Sequence, residues 1–228
     1  MSYGGLSARL SAVRERIGEA QQRGGWAHPV TVIAVTKGHD AAAIVAAQEA
    51  GLADVGENRV QEALAKQEAL GTVPVRWHLI GSLQRKKVKQ IVGRFDLIHS
   101  VDRVELVTEL AERGAAGRPQ RVLVEVNCGG EAQKAGVDPA AALDVVAAAL
   151  AQPALVFDGL MTMAPLTDDR ALQHQAFGRL RALKEEIERT GHSVRHLSMG
   201  MSGDFEAAVE EGATLVRLGT ILFGEREP

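Results

Sequence analysis

Apolar, β-branched runs recur along this chain near 30–36, 53–56, 75–80, 96–100, 121–127, 155–161, 194–198 and 214–218, with amphipathic or alanine-rich segments between them. Strands that alternate with helices pair in parallel, and a parallel sheet has to be covered on both faces. Eight such units in 228 residues suit a closed (β/α)8 TIM-type barrel. An open doubly wound sheet, the competing architecture, usually needs fewer strands and often carries a glycine fingerprint. Ahead of the first strand, Leu6, Leu10, Val13 and Ile17 recur at helical spacing and Gly24-Gly25 stops the run before Pro29, which predicts a lead-in helix. Later, Leu172, Ala176, Leu180, Leu183 and Ile187 mark one face of a crossover helix over 168–189, and Ala140 to Leu150 is a strong helix former. No Pro/Ser-rich linker or low-complexity tract divides the chain, so residues 1–228 are expected to form a single domain.

Composition narrows the classes of function. With 46% hydrophobic and 24% charged residues and a formal net charge of -3, the chain has no global attraction for nucleic acid or an anionic membrane. The basic run Arg85 to Lys89 reads as a solvated helix face in preference to a patch for RNA or an acidic partner. No apolar stretch is long enough to span a bilayer and the first residues lack a secretory signal, so a cytoplasmic location is expected. Cys128 is the only cysteine; it excludes an internal disulfide and reads as a buried small side chain, not a nucleophile. Neither a phosphate-binding G-x-x-x-x-G-K-[ST] loop nor an H-E-x-x-H zinc helix occurs.

The run Val30 to Lys37 ends an apolar strand with one lysine. An amine at the end of a buried strand is partly desolvated, which favours its neutral, nucleophilic form and makes Lys37 the candidate for a Schiff base. A lysine that merely ends a strand would look the same. Closure of the barrel would bring Lys37 beside the exits of strands seven and eight, which read Leu197-Ser-Met-Gly-Met-Ser-Gly203 and Val216-Arg-Leu-Gly-Thr220. Ser198, Gly200, Ser202, Gly219 and Thr220 have the chemistry of a phosphate cup built from amides and hydroxyls. Amine and cup together match what pyridoxal 5'-phosphate requires, an imine partner and an anion anchor. Arg217 adds a cation that could face the pyridine nitrogen and oppose its protonation.

These residues lie in an ordered series: Ala34-Val-Thr-Lys37, Val55-Gly-Glu-Asn58, Val60-Gln-Glu62, Trp77-His-Leu-Ile-Gly81, His99-Ser-Val-Asp-Arg103, Val124-Glu-Val-Asn127, Gly159-Leu-Met161 and the two exits just quoted. In this series the chain resembles the pyridoxal phosphate homeostasis protein family, which is similar in fold to the N-terminal barrel of alanine racemase. The resemblance implies cofactor attachment at Lys37, phosphate contacts from Ser198, the Met199 backbone, Gly219 and Thr220, and Arg217 near the pyridine nitrogen. It also implies that Asn58 and His78 line the mouth and that Lys134 is a secondary site for free cofactor, where the residues alone equally allow a helix cap at Asn58, a satisfied barrel histidine at His78 and a solvated loop lysine at Lys134. By strand alternation Asn127 is expected to reach the mouth, with Glu125 deeper as an internal hydrogen-bonding group. Lys86, where members often have asparagine, and Gly38-His39 after the lysine depart from the usual pattern.

Two kinds of enzyme compete with a binding protein. A racemase of this type would need a second domain and a tyrosine base on the opposite face; the only tyrosine is Tyr3, and few residues follow Phe223-Gly224. A Schiff-base aldolase would need further acid-base groups, typically a second lysine and an aspartate, that the strand ends do not offer. The expectation is therefore a cofactor carrier serving intracellular vitamin B6 homeostasis, a monomer or weak dimer, with apo-enzymes that use pyridoxal phosphate as recipients.

Overall fold

Eight parallel strands close on themselves: β1 (Thr31–Val35), β2 (Asp54–Glu57), β3 (Arg76–Leu79), β4 (Leu97–Val101), β5 (Gln120–Glu125), β6 (Leu155–Met161), β7 (His196–Ser198) and β8 (Leu215–Leu218), in sequential order with β8 paired to β1. The structure is a computed structural model and describes residues 3–114, 118–131 and 135–225. It is the expected TIM-type barrel, and every strand falls on its apolar run. Helices α1 (Leu6–Gly24), α2 (Ala42–Glu49), α3 (Val60–Leu70), α4 (Val88–Ile91), α5 (Val104–Arg113), α6 (Ala142–Leu150), α7 (Arg170–Arg189), α8 (Phe205–Glu210) and α9 (Thr220–Phe223) surround it. None is long and apolar enough to cross a membrane.

The strands read as continuous apolar runs because both faces are buried. Inside the barrel, Ile33, Leu97, Leu123, Met161 and Leu215 form a small apolar plug. Outside it, the helices bury a much larger layer, to which α1 contributes Leu6, Leu10, Val13, Ile17 and Ala20. Gly159 in β6 carries a φ of +151, and a Cβ there would lie 2.0 Å from the His196 carbonyl. No side chain fits where β6 meets β7.

Two expectations are corrected. Leu172 is 44% exposed, and the buried stripe of α7 starts instead at Gln173 and runs through Ala176, Phe177, Leu180, Leu183 and Ile187. Gln173 turns inward because its Nε2 donates to the Thr167 carbonyl at 2.7 Å, which satisfies a loop group at the helix start. Strand five ends at Glu125, so alternation does not carry Asn127 to the mouth. The chain turns there, with the Cys128 N–H donating to the Val126 carbonyl, and the Asn127 amide instead donates to Glu131 O at 2.9 Å. Cys128 is buried, which pushes its thiol up to about 11, as suits an inert core side chain.

Candidate functional site

Pairing of β1 with β8 sets Ile33 opposite Arg217 and Ala34 opposite Leu218. Lys37, two residues past the end of β1, therefore shares the C-terminal mouth with the exit of β8. A cavity of about 280 Å³ opens there, and Lys37, Asn58, Arg217, Gly219 and Thr220 all line it. Val35, His39, Ile80, Met163, Met201, Ser202 and Gly203 line it as well. Five of the eight binding residues expected from sequence thus meet at one cavity. Position fits each of them: strand ends aim side chains into the mouth, where barrels of this kind place their chemistry.

The backbone on both sides of Lys37 is held from beneath. Lys66, on α3, is 6% exposed and its Nζ donates to Glu57 Oε1 at 2.7 Å, to Glu62 Oε1 at 2.8 Å and to the Thr36 carbonyl at 2.8 Å. Thr36 Oγ1 donates to the same Glu57 oxygen at 2.6 Å, and the Gly38 N–H donates to Glu62 Oε1 at 2.6 Å. Burial pushes the Glu57 carboxyl up, against the opposing pull of Lys66 and Thr36. Glu62 is shifted the other way: burial is the largest single influence and would raise it, but the bonds from Lys66 and the Gly38 N–H, with the charges of Lys66 and Arg59, together outweigh that and lower it. No role for Glu57, Glu62 or Lys66 was read from the sequence, although Glu62 and Lys66 stand at the i,i+4 spacing of a helical ion pair.

Arg217 is 4% exposed. Its Nη1 donates to Ser198 Oγ at 2.7 Å and its Nη2 to the Thr162 carbonyl at 3.0 Å. Burial pushes the guanidinium down to about 10, which leaves it protonated at neutral pH. Ser198 is consequently placed otherwise than expected. Its hydroxyl is fully buried between Arg217 and His99, whose Nδ1 lies 2.9 Å away, and it does not line the mouth cavity. The Met199 amide is also taken, since its N–H donates to the Leu215 carbonyl at 3.1 Å within the sheet. His78 is corrected for a similar reason. It faces the barrel interior, its two ring nitrogens at 2.9 Å from His99 Nε2 and 3.0 Å from Asp54 Oδ1, and it lines a separate cavity of about 200 Å³ containing Asp54, Arg76 and His196.

Backbone amides and hydroxyls gather at the exits of β7 and β8. Gly219 and Thr220 open α9, whose first N–H groups have no partner within the helix. Ser202 Oγ accepts from the Ile221 N–H at 3.3 Å and ties the two exit loops together. Gly200 holds Arg217 from the backbone by accepting its N–H at 3.0 Å, with a φ of +91 that puts the β7 exit in a left-handed turn. Glu125 sits in the interior at 2% exposure, and no hydrogen bond reaches its carboxyl from the described residues. Burial, helped by nearby Asp102 and opposed by Arg217, pushes it up to about 7. The basic segment lies on the surface, with Arg85 on Glu109 and Lys87 on Gln61. Lys134 lies outside the described residues. Tyr3 packs at the rim, its ring edge-on to His39 and Phe223 and its hydroxyl donating to Asp40 Oδ1 at 2.8 Å. An amine, a buried guanidinium, and amide and hydroxyl groups around one cavity form a donor set that suits a phosphorylated pyridine aldehyde.

Comparison with known proteins points the same way. The family model described as alanine racemase, N-terminal domain, matches residues 8–227. The pyridoxal phosphate homeostasis protein of Pseudomonas aeruginosa is 45% identical over 226 residues, 97% of this chain and 96% of that protein. Its counterpart in Aquifex aeolicus is 43% identical over 222 residues, 96% and 97% of the two chains. Among solved structures, PipY of Synechococcus elongatus with PLP bound superposes with a TM-score of 0.82 at 38% identity, covering 96% of this chain and 100% of that one.

Proposed function

The chain belongs to the pyridoxal phosphate homeostasis proteins, within the alanine racemase N-terminal domain family, and from that membership we propose that it holds pyridoxal 5'-phosphate at the barrel mouth, covalently through Lys37, as a carrier and not a catalyst. The observation that carries this reading is the meeting of Lys37, Arg217, Gly219 and Thr220 at one cavity, across the seam where β8 closes on β1. When bound, the cofactor would supply an aldehyde as electrophile, with Lys37 as the amine that holds it.

The protein's own groups then divide the work. Lys66, Glu57 and Glu62 fix the backbone on either side of Lys37, so the amine is offered from a rigid stem. Gly219 and Thr220 take the phosphate through amides and a hydroxyl at the start of α9. Arg217, protonated and tethered at both Nη atoms, donates toward the pyridine nitrogen and opposes its protonation, which weakens the ring as an electron sink. Asn58 lines the same cavity and contributes a neutral polar edge. A carrier of this kind shields the aldehyde and surrenders the cofactor to apo-enzymes of the same compartment.

Borohydride reduction of the cofactor-loaded protein followed by mass mapping tests the reading. The adduct is expected on Lys37, and Lys37→Ala is expected to abolish it with the fold intact; an adduct on another lysine overturns the assignment. Incubation of the loaded protein with D- and L-amino acids separates the two roles. Transfer to an apo-enzyme without turnover is the expected outcome, and sustained racemisation would make the protein an enzyme.

A further inference from the structure

A chain of buried polar groups runs along the barrel interior from Arg217 at the mouth to Asp54 beside the separate, smaller cavity. Its links are Arg217 Nη1 to Ser198 Oγ at 2.7 Å, Ser198 Oγ to His99 Nδ1 at 2.9 Å, His99 Nε2 to His78 Nδ1 at 2.9 Å and His78 Nε2 to Asp54 Oδ1 at 3.0 Å. Ser198 and His99 are fully buried, and His78 and Asp54 are nearly so.

The two ends of the chain fix the direction of every hydrogen in it. Arg217 can only donate. Asp54 can only accept, because Arg76 grips it with Nε on Oδ1 at 2.7 Å and Nη2 on Oδ2 at 2.5 Å. Burial opposes ionisation of Asp54, yet the bonds from His78 and Arg76 prevail and hold its carboxyl at about 2. Between these ends stand a serine and two imidazoles, and a neutral imidazole has one N–H and one acceptor nitrogen. Burial, reinforced by His78 and Arg217, holds His99 well below the usual imidazole range, so this ring is neutral. With one N–H on each ring, three hydrogens serve three bonds. Only one arrangement does so: Ser198 O–H to His99 Nδ1, His99 Nε2–H to His78 Nδ1, and His78 Nε2–H to Asp54. An additional proton on either ring would deprive the Ser198 hydroxyl hydrogen of its acceptor.

We propose that Asp54, His78, His99 and Ser198 are positioning residues, a proton-ordered relay that locks the guanidinium of Arg217 in the orientation with which it meets the pyridine nitrogen of the cofactor. The inference rests on the reading of the mouth as a pyridoxal phosphate site and extends it to the opposite end of the barrel. Ser198 keeps its lone pair for Arg217 because its hydrogen is committed to His99, and His99 accepts that hydrogen because His78 and Asp54 below it fix its tautomer. The carboxylate of Asp54 thereby sets the rotation of an arginine it never touches.

The relay can be tested without cofactor and with it. In histidine-labelled apo-protein at pH 7, long-range ¹H–¹⁵N correlation is expected to find His78 and His99 both protonated at Nε2 only; an Nδ1–H or a doubly protonated form of either ring overturns the proposal. In loaded protein, Ser198→Ala is expected to weaken cofactor retention by roughly tenfold, the size of one lost buried hydrogen bond. It is also expected to move the ¹⁵N shift of the pyridine nitrogen in labelled pyridoxal phosphate. Ile98→Val, a core change outside the relay, should leave that shift in place, and an unmoved shift in Ser198→Ala overturns the proposal. Should wild-type protein fail to take cofactor at Lys37, the functional reading falls while the tautomer assignment is still decided by the first measurement.

Discussion

Lys66 Nζ lies 2.8 Å from the carbonyl oxygen of Thr36, so a buried ammonium on α3 holds the residue that precedes Lys37. The same ammonium neutralises Glu57 and Glu62, and its removal would strand one fully buried carboxylate and one partly buried one. Breaking a buried pair from one side usually costs about 3–5 kcal/mol, more than the pair itself contributes. Lys66→Met is therefore expected to lower the urea stability by about 3 kcal/mol, and Glu57→Gln added to it is expected to recover much of the loss. Equal stability of the single and double variants would show that Glu57 does not depend on Lys66.

Glu125 should imprint a pH dependence of identifiable sign. Its folded-state value near 7 lies above the ordinary 4.5, so the native state binds more protons than the unfolded state between the two. The stability it contributes as a neutral acid is complete below pH 4.5 and lost as pH rises through 7. Glu125→Gln should thus gain up to about 3 kcal/mol over the wild type at pH 8 and little at pH 4, read from denaturation curves at both. A pH-independent difference between the two proteins would contradict this.

Gly219 offers a clean way to separate fold from binding. Its φ of -113 is ordinary for any residue, and an added Cβ would meet the Val35 carbonyl at 3.4 Å, an ordinary contact. Gly219→Ala is expected to fold normally, whereas Gly219→Leu should fill the mouth and lose the cofactor at nearly unchanged Tm. Arg217→Glu is expected to lose cofactor as well, with a drop in stability that Gly219→Leu does not show, because it buries a carboxylate near Glu125. Full occupancy in both Gly219→Leu and Arg217→Glu would count against the pose.

Gly200 gives the opposite case. At a φ of +91, a Cβ would come within 2.6 Å of Ala208 Cβ and 2.9 Å of Phe205 Cα. Gly200→Ala is expected to cost about 2 kcal/mol and to weaken retention, since the strained turn carries the carbonyl that holds the Arg217 amide. Thermal melts with and without cofactor would measure both effects.

The barrel was legible because parallel strands buried on both faces announce themselves as β-branched runs, and their order leaves closure as the way to bury the last one. The place of Lys37, Arg217, Gly219 and Thr220 follows from closure alone, as all four stand at strand ends on one seam. His78 and Ser198 are expected at the mouth because each is also near a strand end, and one residue along a strand decides between mouth and interior. What commits them inward is a set of partners distant in sequence: Ser198 bonds His99 across 99 positions and Arg217 across 19. Lys66 was missed for another reason, since a lysine on an amphipathic helix looks solvated until the carboxylate it meets is known to face outward from a neighbouring strand.

The pairing of β8 with β1 has a consequence for the order of events in synthesis. The amine of Lys37 emerges from the ribosome long before Arg217, Gly219 and Thr220. On the proposed reading, a nascent chain therefore carries Lys37 before it has the means to retain the vitamin, and competence to bind arrives abruptly, when β8 zips the cylinder shut.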